Sequence, residues 1–189
     1  HSFGAKILRK EARPLGRTKN FVIFDADDSL KIIKKLLVSR EVPTRYSPPK
    51  TRYEISKIKN NLLDPAGLDD WLKQTFSEYE AELRRQNAFD FDDLIEKVVE
   101  LFRTSPDILK KHQSRFDYIL IDEYQDINLA QYALVKLLGA GHRNLNVVGD
   151  DQQSIYGFRW SDFTNFLHFE RDWPEAKIVE LGENYRSTK

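Results

Sequence analysis

Two adjacent carboxylates, Asp122 and Glu123, end a short apolar run, Tyr118-Ile119-Leu120-Ile121. The run is rich in β-branched and aromatic residues and predicts a buried strand with the acids at its carboxyl end. In open α/β sheets ligands sit outside that end, where an acid can reach a magnesium ion bridging nucleotide phosphates. Asp122 would then hold Mg²⁺ through its water shell. Glu123, pointing differently, could polarise a water that attacks a γ-phosphate. A polar strand end or a helix N-cap is the plainer account of the same dipeptide. A second strand end bears on the choice. Asn146-Val147-Val148 predicts another buried strand and runs into Gly149-Asp150-Asp151-Gln152-Gln153, followed by Tyr156, Phe158, Arg159 and Trp160. Between the two strands Leu129, Tyr132, Leu134, Val135 and Leu138 recur mostly at helical spacing, which makes a strand–helix–strand unit. Such a crossover puts both strand ends on one rim.

The elements that must position this rim lie upstream. Residues 3–12 predict a short helix that breaks near Pro14-Leu15-Gly16, and from Phe21 the texture becomes helical and charged. Asp27 or Asp28 could cap a helix carrying Leu30, Ile33, Leu36 and Leu37, and Ser47-Pro48-Pro49 opens another through Ile55, Ile58 and Leu62. Leu72, Phe76, Tyr79 and Leu83 form one stripe of a long amphipathic helix, as core residues rather than a base-stacking platform. Lys31, Lys34, Lys35, Arg40, Arg45, Lys50, Arg52, Lys57 and Lys59, interleaved with Tyr46 and Tyr53, make a basic stretch. It could track a phosphate backbone or be a solvated helix face. Asp90, Asp92 and Asp93 could hold a metal, but they read better as the start of a helix carrying Leu94, Ile95, Val98, Val99 and Phe102. A short helix from Pro106 to His112 leads to the Asp122 strand, and Ile178-Val179-Glu180-Leu181 predicts a further strand.

Composition excludes several classes. A chain of 189 residues with 40% hydrophobic and 12% aromatic residues can bury a core. Thirty basic and thirty acidic residues cancel, so any nucleic-acid contact must come from a local patch. With no cysteine and four scattered histidines there is no disulfide framework and little case for zinc. Neither a signal peptide nor a long apolar run is present, and a soluble intracellular protein is the expectation.

Three stretches in order carry a resemblance: Asp122-Glu123-Tyr124-Gln125-Asp126, then Val148-Gly149-Asp150-Asp151-Gln152-Gln153-Ser154-Ile155-Tyr156-Gly157-Phe158-Arg159, then Glu183-Asn184-Tyr185-Arg186-Ser187. They resemble successive motifs of the UvrD/Rep family of superfamily 1 DNA helicases. His1-Ser2-Phe3-Gly4 is similar to the tail of a threonine-phenylalanine-histidine-serine segment of that family, and Phe89-Asp90-Phe91-Asp92-Asp93-Leu94 to an acidic segment ahead of the Asp-Glu strand.

The resemblance implies an α/β fold, part of a P-loop NTPase (RecA-like) parallel sheet with an inserted all-helical subdomain. Residues 1–16 and 89–182 would belong to the first core domain, 17–88 to the insertion and 183–189 to the start of a second motor domain. It implies ATP and Mg²⁺ as ligands, with Asp122 on the metal, Glu123 as catalytic base and Gln153 sensing the γ-phosphate. Tyr185 would stack on adenine, and Arg186 would neutralise γ-phosphate charge as the cleft closes. His1, Tyr156, Phe158 and Arg159 would face single-stranded DNA, with Phe158 where the family usually has a stacking tryptophan. Trp160 stands where the family usually has glycine. The implied partners are single-stranded DNA and single-strand/duplex junctions, with no membrane, in a cytoplasmic, nucleoid-associated protein of DNA repair or replication. The phosphate-loop pattern G-x-x-x-x-G-K-[ST] is absent. With no initiating methionine and a start inside a motif, the chain is expected to be an excised piece of a longer motor, and without the phosphate loop it is expected to be inactive alone. An AddA/RecB-type helicase–nuclease subunit would share these motifs, and a binding module of the same fold without turnover is the alternative from another class.

Overall fold

Helix α1 (Ser2–Glu11) buries Ile7 and Leu8 and lies directly on the helix that follows the second strand. Gly4 permits that approach, because a Cβ there would stand 1.6 Å from the carbonyl oxygen of Leu94. A 3₁₀ turn over Arg13–Leu15 ends at Gly16, whose φ of 71° is left-handed. These details come from a computed structural model, which describes residues 1–38, 43, 45–150 and 169–183.

Strand β1 (Val22–Phe24) then runs into helix α2 (Ala26–Val38). The helical texture expected from Phe21 is thus corrected at its start, where three residues pair in parallel with strand β2 (Ala88–Asp90), Val22 opposite Ala88 and Phe24 opposite Asp90. The stretch 17–88 is therefore not all helical among the described residues. The cap of α2 is also corrected: Asp25 Oδ1 accepts the backbone N–H groups of Asp27 and Asp28 at 2.9 and 2.8 Å. Helix α3 (Pro48–Asn60) starts as its Ser-Pro-Pro signature predicts, with Ser47 accepting from the N–H of Lys50. Helix α4 (Asp70–Arg85) is capped by Asp69 and buries Leu72, Tyr79 and Leu83 along the expected stripe.

Helix α5 (Asp93–Thr104) is the spine, with Leu94, Val98, Val99, Leu101 and Phe102 buried against α1, α6 (Pro106–Gln113) and α7 (Leu129–Gly139). Each such side chain, fully buried, contributes about 1.5–3 kcal/mol of transfer free energy. A second core gathers Ile32, Ile33, Leu37, Ile55, Tyr79 and Leu83 from α2, α3 and α4.

Strand β3 (Ile119–Ile121) pairs in parallel with β4 (Leu145–Val147), Ile119 opposite Leu145 and Ile121 opposite Val147, with α7 crossing between them. The expected strand–helix–strand unit is present, but the strands are not fully buried. Leu120 is 76% exposed, since alternate residues of a strand face opposite sides and that side is open. The strand expected at Ile178–Leu181 is not formed: Ile178, Val179 and Leu181 are exposed and outside any ladder. A short helix, α8 (Phe169–Asp172), packs Phe169 and Trp173 beside Tyr124, Ile127 and Tyr132 under the β3–β4 rim. Among the described residues the chain thus mixes helices with two short parallel sheets. Among the described residues no helix is long and apolar enough to cross a membrane.

Candidate active site

Both strands of the β3–β4 pair deliver their carboxyl ends to one rim, and backbone hydrogen bonds hold the chain where it leaves them. The N–H of Val148 donates to the carbonyl of Ile121 at 2.8 Å, and its carbonyl accepts from Tyr124 at 2.9 Å. Asp122 and Glu123 are the two residues enclosed by that clamp. Both are exposed, and Asp122 Oδ1 accepts the N–H of Glu123 at 3.0 Å. Glu123 itself is left-handed, with φ 51° and ψ 46°, a conformation that costs a residue with a Cβ about 1–2 kcal/mol. The strain sits at the residue with the proposed chemical task.

Two neighbours hold the strained segment. Tyr124 is fully buried and meets Phe169 edge-on at 5.4 Å between ring centroids. Gln125, 2% exposed, donates from Nε2 to Glu123 Oε2 at 2.7 Å, and its Oε1 accepts the N–H of Asp150 at 3.0 Å. Beyond this turn Asn128 caps α7: its side chain accepts from the N–H of Gln131 at 2.9 Å while Gln131 returns an acceptor at 3.0 Å, a reciprocal capping box.

A buried charged cluster lies behind the rim. Lys59 of α3 has no exposed side-chain surface, and its Nζ is 2.7 Å from carboxylate oxygens of Glu80, Asp90 and Asp93. The ammonium donates to Asp90 at the end of β2 and Asp93 at the start of α5, and forms an ion pair with Glu80 of α4. Burial alone would lower the Lys59 pKa; the surrounding Asp90, Asp93 and Glu80 outweigh it and hold the lysine well above its usual value. Burial would raise Glu80, but Lys59 and Lys97 overcome it and pull it to about 2. Asp93 goes the other way, lifted first by burial and then by Asp90. Asp90 and Asp93 exchange reciprocal bonds with each other's backbone N–H at 3.1 and 2.8 Å. The acids therefore start α5 and neutralise a lysine. Among the described residues no group of three or more His, Asp or Glu side chains is arranged to hold a metal.

The cluster reaches the rim through amides: Asn60 donates to Asp92 at 2.9 Å and accepts from Asn128 at 2.7 Å. It also corrects the basic surface expected over residues 31–59, because Lys59 is core. Its place on α3 signals this, since Thr51, Ile55, Ile58 and Lys59 share the buried face. Lys31 pairs with Asp28 and Arg45 with Asp69, while Tyr46 stacks on Trp71 at 4.2 Å.

His1 stacks on Phe91, with ring centroids 4.1 Å apart and planes 20° from parallel. Phe91 is 51% exposed because its neighbours Asp90 and Asp92 turn inward to Tyr79, Lys59 and Asn60. The structure thus holds Asp122 and Glu123 at the strand end and puts His1 against Phe91. Gln153, Tyr156, Phe158, Arg159, Trp160, Tyr185 and Arg186 lie outside the described residues. Gln125 and Phe91 were not singled out from the sequence. Their signals were an uncharged amide between acids and an aromatic flanked by aspartates.

One exposed carboxylate at a strand end fits Mg²⁺ delivered with nucleotide phosphates, since that ion keeps most of its waters and asks little of the protein. The chain is 43% identical to the ATP-dependent DNA helicase PcrA of Staphylococcus aureus, over all of this chain and 27% of that protein. It is 44% identical to the PcrA of Staphylococcus epidermidis over the same shares. The chain thus spans about 27% of the length of these curated relatives. The UvrD/REP helicase N-terminal domain family matches residues 1–174, and the chain belongs to that family.

Proposed function

We propose that this chain is part of the motor of an ATP-dependent DNA helicase, a translocase that couples ATP hydrolysis to movement on single-stranded DNA. The observation that carries this is the pair Asp122 and Glu123, clamped at the carboxyl end of a parallel strand with Asp150 tied to the same turn. In this reading β3, α7 and β4 belong to a RecA-like nucleotide-binding core, and most of 17–88 is a subdomain inserted into it. Asp122 would hold Mg²⁺ delivered with the nucleotide. Mg²⁺, when bound, neutralises charge developing on the γ-phosphoryl oxygens. Glu123 orients the attacking water in line with the leaving oxygen and takes its proton. By motif matching, Gln153 and Arg186 address the γ-phosphate and Tyr185 the adenine. The exposed His1–Phe91 stack offers a π-face to a base of single-stranded DNA, alongside Tyr156, Phe158 and Arg159.

The test is ATP hydrolysis by the full-length protein with and without single-stranded DNA. Strong stimulation is expected, with a loss of roughly 10²–10⁴-fold in Glu123→Gln, the usual range for a general base. No stimulation, or activity indifferent to Glu123, would move the assignment to a binding module. The chain alone, lacking a G-x-x-x-x-G-K-[ST] phosphate loop, is expected to show no sustained turnover, because that backbone cradle supplies most phosphate contacts.

A further inference from the structure

Taking Glu123 as the base, as proposed above, we infer that Gln125 is a positioning residue whose side-chain amide aims the Glu123 carboxylate and ties it to the backbone leaving β4. Gln125 is 2% exposed, so both ends of its amide need partners inside the protein. The geometry decides which end is which. A peptide N–H can meet only the carbonyl oxygen, and Asp150 N–H does so at 3.0 Å; a carboxylate can meet only the NH₂, and Glu123 Oε2 does so at 2.7 Å. The amide cannot flip without losing both bonds. Glu123 is exposed and long, so without this donor its carboxylate would sample several rotamers and seldom face the water it must orient. The other end of the amide makes the aim of Glu123 depend on the segment that begins at Asp150 and runs on to Gln153. One buried amide therefore links the candidate base to the chain that carries the candidate phosphate sensor.

Gln125→Ala in the full-length protein should lower DNA-stimulated kcat by about 10–100-fold, the scale on which a small misplacement acts. KM for ATP and affinity for a single-stranded oligonucleotide should change by less than about threefold, since the amide touches neither. Gln125→Glu keeps an acceptor for Asp150 N–H but turns a carboxylate on Glu123, so it should lose at least as much kcat as the alanine variant. In a Glu123→Gln background, Gln125→Ala should cost little more, because two residues acting as one unit are not additive. Recovery of kcat in Gln125→Glu, or an equal fold loss in both backgrounds, would make Gln125 only a strut for Asp150 and overturn the inference. Should Gln125→Ala fail to fold by circular dichroism, Gln125→Glu, which keeps the strut, decides alone. A collapse in Glu123→Gln with no effect of either Gln125 variant sinks this inference and leaves the base assignment standing. Full activity in Glu123→Gln sinks both.

Discussion

Lys59 shows what one residue does when its charge has nowhere to go. It contacts three carboxylates at 2.7 Å with no exposed surface, and removing one member of such a cluster leaves the others buried and uncompensated. Lys59→Met should therefore destabilise the chain by about 3–5 kcal/mol although methionine fills similar volume, as read from urea unfolding. Lys31→Met, which breaks only the exposed pair with Asp28, should have no measurable effect and serves as the control. Equal small effects in both variants would mean that water enters the Lys59 site. Glu123 is the opposite case, an exposed residue whose backbone rather than solvation is under strain.

Helix α7 fixes how the chain leaves the rim. Its first turn follows directly on the Asp122–Asp126 segment, so whatever fixes its start also fixes the exit from the rim. Asn128 does this twice, through the capping box with Gln131 and through its bond to Asn60 of α3. Asn128→Ala loses both and should cost roughly 2 kcal/mol, about 1 from the cap and about 1 from the buried hydrogen bond. Asn128→Ser retains a cap and should cost about half as much. Equal losses in the two variants would assign the whole effect to the α3 contact. Thermal unfolding of the chain reads the difference. Helix α5 shows how much an element can be asked to do, since its first turn supplies an acid to Lys59 while its opposite faces fill the main core.

At the scale of the molecule, acid stability depends on groups that folding removes from water. His112 is 3% exposed, neither ring nitrogen has a hydrogen-bond partner among the described residues, and its ring lies 5.6 Å from that of Phe102. Burial lowers its pKa; Glu11, 3.9 Å away, opposes this in part, while Lys111, Arg115 and Lys10 reinforce it. The unfolded chain therefore takes up a proton first as pH falls through the ordinary histidine value of 6.5. Stability contributed by the neutral ring is present above that pH and is lost below it, until the folded form protonates as well. Between pH 7.5 and 5.5 the chain should lose more stability than its His112→Gln variant, in denaturant melts at matched salt. Parallel profiles would mean that His112 does not set this slope. Glu80 adds a loss of the same sign at lower pH, from the ordinary value of 4.5 down to about 2. Asp92, Asp93 and Glu96 are raised and act oppositely, favouring the fold as pH falls through their folded values. The acid limb is thus a difference between opposed groups, with His112 and Glu80 on one side and Asp92, Asp93 and Glu96 on the other.

Features that neighbours along the chain decide can be read without the fold. The stripes of α4 and α5, the Ser47-Pro48-Pro49 start of α3 and the strand–helix–strand order around α7 were all legible, because a helix repeats every 3.6 residues whatever packs on it. So were the two acids at a strand end and the families of motif that contain them. The rest depends on segments distant in the chain. Strand β1 is three residues long with Val22 and Ile23 half exposed, too short to show alternation, and exists because β2, more than sixty residues on, lies beside it. Lys59 reads as one more surface cation until acids from three other elements surround it. Gln125 reads as a spacer between acids until the exit of β4 gives its carbonyl a partner. Local pattern follows from steric and solvation rules acting within a turn or two of chain, whereas burial, pairing and hydrogen-bond partnership depend on which distant segments arrive.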